Sequence, residues 1–100
     1  MKKYKVICLC GSSRFKDDFI KVSKELTLEG KIVLSLNIFS QNENIDIDTK
    51  TKKMLDQMHR QKIDMSDEVF VINKNGYIGT STKNEIEYAV NSGKKVSYLE

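Results

Sequence analysis

The sequence predicts a three-layer α/β/α protein with a small parallel sheet, because apolar runs alternate with helical patterns along its 100 residues. Four short runs have the length of buried strands, and three longer segments between them have the periodicity of helices. Runs that are apolar throughout are typical of parallel strands covered on both faces. The predicted order is βαβαβαβ, as in Rossmann-like or flavodoxin-like domains, and the length allows one domain over residues 1–100.

The first half of the chain predicts two strands and one helix. Lys5–Cys10 is a nearly continuous apolar run that ends at a glycine, and Ile32–Leu36 is the second such run. Between them, one helix face is formed by Phe15, Phe19, Val22 and Leu26. Gly30 suits the end of that helix. The polar stretch Asn37–Thr49 predicts a loop over the ligand side of the sheet.

The second half predicts two helices and two strands. The helices are Thr51–Met65 and Thr82–Asn91, with Gly93 as the stop of the latter, and the strands are Glu68–Ile72 and Lys95–Leu99. The residues expected to face inward are Met54, Met58 and Ile63 on the earlier helix and Ile86, Ala89 and Val90 on the later one.

Composition and charge exclude several classes of partner. The net charge of +3 is mild, and basic residues are interleaved with acidic ones, so we expect no binding to a nucleic acid polymer. No stretch approaches the roughly 20 apolar residues of a membrane span, and the N-terminal pattern predicts a strand rather than a signal peptide. We therefore expect a cytoplasmic protein. The last strand should lie at an exposed sheet edge, which predicts a homo-oligomer.

Two cysteines flank one residue of the first strand. Cys8 and Cys10 point to the same face, because side chains alternate along a strand. Neighbouring thiols can bind metal or react, but no second Cys or His pair completes a site. Burial in the core is the prediction, and we expect no metal and no cofactor.

The stretch Gly79–Ala89 is the strongest indication of function. It follows the apolar run of the third strand across a glycine-containing loop and enters a helix. Ligands of open α/β sheets bind where such loops lead into helix N-termini, and a helix N-terminus favours anions. Hydroxyls at Thr80, Ser81 and Thr82 suit an anion site, and the helix end should keep the Glu85 carboxylate ionised.

A second polar loop follows the first strand, with the sequence Gly11-Ser12-Ser13-Arg14. Glycine allows close approach of the backbone, serines donate hydrogen bonds, and arginine can bind a phosphate through two parallel bonds. The loop lacks the spacing of a Walker or dinucleotide motif. An ordinary strand–helix turn with a serine N-cap is an equal alternative.

Glu85 and His59 are the residues able to perform chemistry. A carboxylate near a helix N-terminus can act as nucleophile or base, but Thr82-Lys83-Asn84-Glu85 also matches a capping box. His59, the single histidine, shares a helix side with Asp56 and Arg60. That side predicts either a proton-transfer or anion-binding cluster or, more commonly, a solvated helix face.

The chain resembles the nucleoside 2-deoxyribosyltransferase superfamily, which includes the deoxynucleoside 5'-monophosphate N-glycosidases. The resemblance covers nearly the whole chain and depends on three segments: Cys10–Arg14, Asp67–Val71, and Gly79 to Ala89 with its Glu85-Ile86-Glu87-Tyr88-Ala89 start of a helix. In the family, a Glu in the last segment is the nucleophile. The resemblance therefore favours catalysis by Glu85 over a cap.

The resemblance implies cleavage of the bond between a base and a deoxyribose. The Glu attacks the anomeric carbon, and water or a second base resolves the glycosyl-enzyme. The residues it assigns to substrate and phosphate are Gly11, Ser12, Ser13, Arg14, Gly79, Ser81 and Thr82. His59 stands where the family usually has an Asp, which implies a proton donor, an orienting group or an anion-binding group. The alternative is a nucleotide-binding sensor without chemistry.

Overall fold

The strands form one sheet in which every neighbouring pair is parallel, as predicted. The computed structural model describes residues 1–36 and 48–100. Within them it has four strands: β1 (Val6–Gly11), β2 (Ile32–Leu34), β3 (Glu68–Ile72) and β4 (Lys95–Tyr98), in the order β2-β1-β3-β4. The last strand is at an edge of the sheet. The predicted loop Asn37–Thr49 lies almost wholly outside the described residues.

Among the described residues, three helices cover the two faces of the sheet, which confirms the three-layer prediction. They are α1 (Lys16–Leu28), α2 (Thr49–Asp64) and α3 (Thr80–Asn91), and single turns of 3₁₀ helix span Ser13–Phe15 and Lys74–Gly76. α1 covers the face formed by Ile7, Leu9 and Ile72. α2 and α3 cover the face formed by Cys8, Cys10, Val69 and Val71. No helix among the described residues combines the length and apolar character needed to cross a membrane.

Glycines end two of the helices, as the sequence predicts. Gly30 and Gly93 have positive φ angles of 89° and 77°. Gly30 N–H bonds the Thr27 carbonyl at 3.0 Å, and the next residue bonds the Leu26 carbonyl at 3.1 Å. Gly93 and its successor make the matching pair of bonds at the end of α3. Each end is a Schellman motif, which satisfies the last carbonyls of the helix.

The inner face of α2 differs from the prediction. Met54 and Met58 are 50% and 43% exposed, whereas His59 and Ile63 are buried. His59 replaces a methionine inside because the strand beneath it offers two thiols as partners for the imidazole. On α3, Ala89 is buried and Ile86 packs against the core as predicted, but Val90 is 58% exposed because it lies about 100° round the helix from Ala89.

The central strands β1 and β3 end at the same level. Cys10 lies beside Val71, and Gly11 lies beside Ile72. The polar loops that follow these two strands therefore begin side by side at the carboxyl edge of the sheet. This register is what positions the site.

A buried amide ties the end of β3 to the strand beside it. Asn73 donates to the Glu100 carbonyl at 3.1 Å and accepts from the Glu100 N–H at 2.9 Å, and its side chain is buried. We expect Asn73→Ala to lower the free energy of unfolding by about 2 kcal/mol, because both hydrogen bonds between the Asn73 amide and the Glu100 backbone are lost. Urea unfolding measures this. Asn84→Ala, at an exposed position of α3, is the control and should change little. Equal effects would contradict the role of Asn73.

Candidate functional site

The site lies at the point where the connections from the sheet diverge. The order β2-β1-β3-β4 is the doubly wound order in which the chain leaves β1 and β3 in opposite directions. Ligands of such sheets bind in the crevice outside the carboxyl ends of these two strands. In this protein the loops after β1 and β3 both border that crevice.

A cavity of about 500 Å³ occupies the crevice, within the size range of small-molecule sites. Eight of the nine residues predicted for the site line it, together with eight further residues. The predicted ones are Gly11, Ser12, Ser13, His59, Gly79, Ser81, Thr82 and Glu85. The others are Leu36, Lys52, Leu55, Asp56, Met58, Lys62, Tyr77 and Thr80.

Arg14 lies outside the lining and contacts one of its walls. Its guanidinium carbon is 4.1 Å from the centre of the Tyr77 ring, and its Nη2 donates to the Tyr77 hydroxyl at 3.3 Å. The Phe15 ring also contacts the Tyr77 ring in an edge-to-face arrangement, with the ring centres 6.0 Å apart. Ser12 accepts from the Arg14 N–H at 3.3 Å, which is the serine cap foreseen as the alternative for this loop.

The second loop starts its helix earlier than predicted. α3 begins at Thr80, with Gly79 as N-cap and no capping bond from a side chain. Glu85 therefore lies in the second turn, beyond the position from which a capping-box residue bonds back to the helix start. The capping-box interpretation is wrong for this helix. Glu85 points into the cavity instead.

Glu85 and His59 meet at the floor of the cavity. The Glu85 Oε1 atom is 3.8 Å from His59 Nε2, and the two side chains are only 15% and 7% exposed. α3 supplies the carboxylate and α2 supplies the imidazole, and these two helices pack on the same face of the sheet. Because both groups are shielded from water, their mutual attraction is stronger than that of a surface ion pair.

The two cysteines of β1 form a cluster with His59 and Glu85. Cys10 Sγ lies 3.3 Å from His59 Nε2, and Cys8 Sγ lies 3.9 Å from the same nitrogen. Both thiols are fully buried, as predicted. The sequence could not show that a histidine 49 residues away joins them, because this contact depends on how α2 packs on β1.

The cluster shifts the titration of all its members. Burial raises the pKa of Glu85, although the charge of His59 opposes this, so the direction is opposite to that expected at a helix N-terminus. Burial lowers the pKa of His59, but the Cys8 thiol and the charge of Glu85 outweigh it, and the net shift is upward. The interaction between the two thiols lowers the pKa of Cys8 and, together with burial, raises that of Cys10. The pair therefore releases one proton easily and the other with difficulty.

His59 does not belong to a solvated helix face. Asp56 is exposed and pairs with Lys52 at 3.3 Å, and Arg60 is exposed and lies over the Tyr88 ring at 5.6 Å. The His59 side chain points toward the sheet and is buried, so the solvated-face interpretation is wrong for this residue. Asp56 lines the same cavity as His59, whereas Arg60 lies outside the lining.

Two lysines on α2 line the cavity wall, and Asp56 balances the charge of one of them, Lys52. Lys62 donates to the Ser35 carbonyl at 2.7 Å, and Lys52 lines the wall nearer the start of the helix. Sequence reasoning did not assign either. Their spacing from His59, three residues after it and seven before it, is the helical signal that could have identified them.

Comparison of the chain with models of known protein families gives no match, and comparison with curated proteins gives none either. What the site can do chemically therefore follows from the geometry of the cavity and from the residues that border it.

Proposed function

We propose that the protein cleaves or exchanges the N-glycosidic bond of a deoxynucleoside or deoxynucleotide, with Glu85 as the nucleophile. The observation that supports this best is a shielded carboxylate beside a single imidazole, at the floor of a cavity bordered by hydroxyls. A buried carboxylate with one open side can form a covalent bond to a sugar carbon.

The reaction proceeds in two displacements. A Glu85 oxygen attacks the anomeric carbon, the bond from that carbon to the base nitrogen breaks, and its electron pair leaves with the base, which takes up a proton from solvent. Water or a second base then attacks the same carbon, gives up a proton to solvent, and releases the Glu85 carboxylate. Both steps pass through an oxocarbenium-like state that the carboxylate stabilises.

His59 orients the nucleophile in this scheme. Its Nε2 atom lies 3.8 Å from the Glu85 Oε1 atom, and its side chain is the less exposed of the two, 7% against 15%. From there it fixes the direction of the carboxylate and balances its charge. The substrate sits above, between the first loop and the start of α3.

The polar rim suits the sugar and its 5' phosphate. Ser12 and Ser13 border one side of the cavity, and Thr80 and Ser81 border the other beside the free N–H groups of the α3 start. Lys62 adds a cation to the wall. Such a rim recognises an oxyanion through hydrogen bonds and charge together. A nucleotide sensor without chemistry would use the same rim, and it is our alternative proposal.

The test is a panel of deoxynucleosides and their 5'-monophosphates, with chromatography of the released or exchanged base and Glu85→Gln as control. Base release that vanishes in the control supports the glycosidase or transferase. Saturable nucleotide binding without any release supports the sensor. Neither release nor binding would contradict both proposals.

Arg14 offers a test of phosphate recognition. We expect Arg14→Ala to weaken binding of a 5'-monophosphate by about tenfold and to leave binding of the matching nucleoside unchanged, because only the phosphate can use the guanidinium. Calorimetry on the Glu85→Gln background measures this without turnover. Lys16→Ala, an exposed neighbour, is the control. An equal loss for both ligands would mean that Arg14 acts through its stacking on Tyr77.

A further inference from the structure

Three metal-ligating atoms converge beneath the proposed nucleophile. The sulfur atoms of Cys8 and Cys10 and the Nε2 atom of His59 all lie within 4.8 Å of one another. The two thiols project from the same face of β1, and α2 brings the imidazole onto them. The proposed glycosidase chemistry uses neither thiol.

The spacing of these atoms matches the edges of a zinc coordination sphere. Zinc–sulfur bonds of about 2.3 Å and zinc–nitrogen bonds of about 2.0 Å place tetrahedral S and N ligands about 3.5 Å apart. The observed distances from Nε2 to the two sulfur atoms are 3.3 Å and 3.9 Å, on either side of that value.

We propose that Cys8, Cys10 and His59 bind one Zn²⁺ ion. Two thiolates and an imidazole are the ligand types that zinc prefers. Two thiolate charges neutralise the ion, so the complex has no net charge, which suits a position where both sulfur atoms are fully buried. The fourth position opens toward Glu85, whose Oε1 atom is 3.8 Å from Nε2.

Zinc at this position would control the reaction proposed above. The metal takes the Nε2 atom that faces Glu85, so His59 can no longer orient the carboxylate. The zinc-loaded protein should therefore lose base release, and removal of zinc should restore it. This consequence depends on the proposed function, whereas zinc binding itself does not.

The test is titration of the reduced, metal-free full chain with Co²⁺, followed by Zn²⁺. We expect one equivalent of Co²⁺ to bind with thiolate-to-cobalt charge-transfer absorption and tetrahedral ligand-field bands, and Zn²⁺ to remove both. A parallel assay of free thiols confirms that the cysteines are reduced. Reduced protein that shows no charge-transfer band would overturn the proposal.

Variants separate this site from other cation binding. Cys10→Ser and His59→Gln should each weaken Co²⁺ binding by more than about a hundredfold. That is a larger effect than is usual for residues that only orient the ligands of a metal. Cys8→Val keeps an apolar strand residue and should fold, but lose the charge-transfer band. Asp56→Asn, which alters a cavity carboxylate outside the cluster, is the control and should bind as wild type. Binding that survives all three cluster variants would contradict the assignment.

The two proposals fail in different ways. Cobalt binding without base release under any metal condition would leave the zinc site standing and remove the glycosidase. Base release in protein that shows no charge-transfer band would do the opposite.

Discussion

Replacing Glu85 by Gln should reduce base release by at least about 10³-fold, as loss of a nucleophile does in enzymes that form covalent intermediates. The amide has nearly the shape of the carboxylate but cannot attack the anomeric carbon. The 3.8 Å contact with His59 Nε2 loses its charge but not its packing. We expect the variant to keep its fold, because burial of a neutral amide costs less than burial of a carboxylate.

The measurement is turnover of the best substrate in the panel, with the melting temperature of the variant recorded alongside. Glu87→Gln is the matched control, since Glu87 is exposed on the same helix two residues away. A quenched reaction of the wild type should also yield a deoxyribosyl adduct on Glu85, visible by mass spectrometry. Glu85→Gln with wild-type turnover would falsify the assignment of the nucleophile.

Gly11→Ala should have the largest effect on stability, a loss of about 3 kcal/mol or more in the free energy of unfolding. Gly11 has a φ angle of 151°, which side chains rarely adopt. A methyl group there would lie 2.7 Å from the Ile72 carbonyl oxygen and 3.2 Å from the Phe19 ring. Neither the sheet backbone nor the buried ring can move aside without breaking other contacts.

Gly76→Ala is the matched control for this effect. Gly76 also has a positive φ angle, 78°, but no atom lies within 4 Å of the added methyl group. Gly76→Ala should lower the free energy of unfolding by only about 1 kcal/mol, the cost of the unfavourable backbone conformation alone. Urea unfolding of both variants separates the cost of backbone strain from the cost of the steric clash. Similar losses in the two would show that the contact with Ile72 carries no cost.

The sequence predicted the sheet and the position of the cavity because these depend on local patterns. Apolar runs identify β1 and β3, and polar residues directly after them must lie at one edge once the strands are parallel. The reason assigned to Gly11 was different from the one observed. The sequence suggested close approach of a ligand, whereas the structure requires the glycine for its contact with Ile72.

The floor of the cavity could not be predicted because it depends on tertiary packing. Hydrophobic periodicity selects Met54 and Met58 as the inner face of α2, since a histidine counts as polar. His59 is inside because two thiols face it, and their position follows from the packing of α2 on β1. The Thr82–Glu85 capping pattern failed for a similar reason, because Gly79 starts the helix first.

The central position of β1 has a consequence for the dynamics of the site. β1 is hydrogen bonded to β2 on one side and to β3 on the other, and its thiols lie under two helices. Amide hydrogens of such a strand exchange with solvent only when the whole domain opens. The floor of the cavity and the fold should therefore belong to one cooperative unit. Destabilising substitutions elsewhere should lower the fraction of folded molecules. In the molecules that remain folded, the geometry of the site should not change.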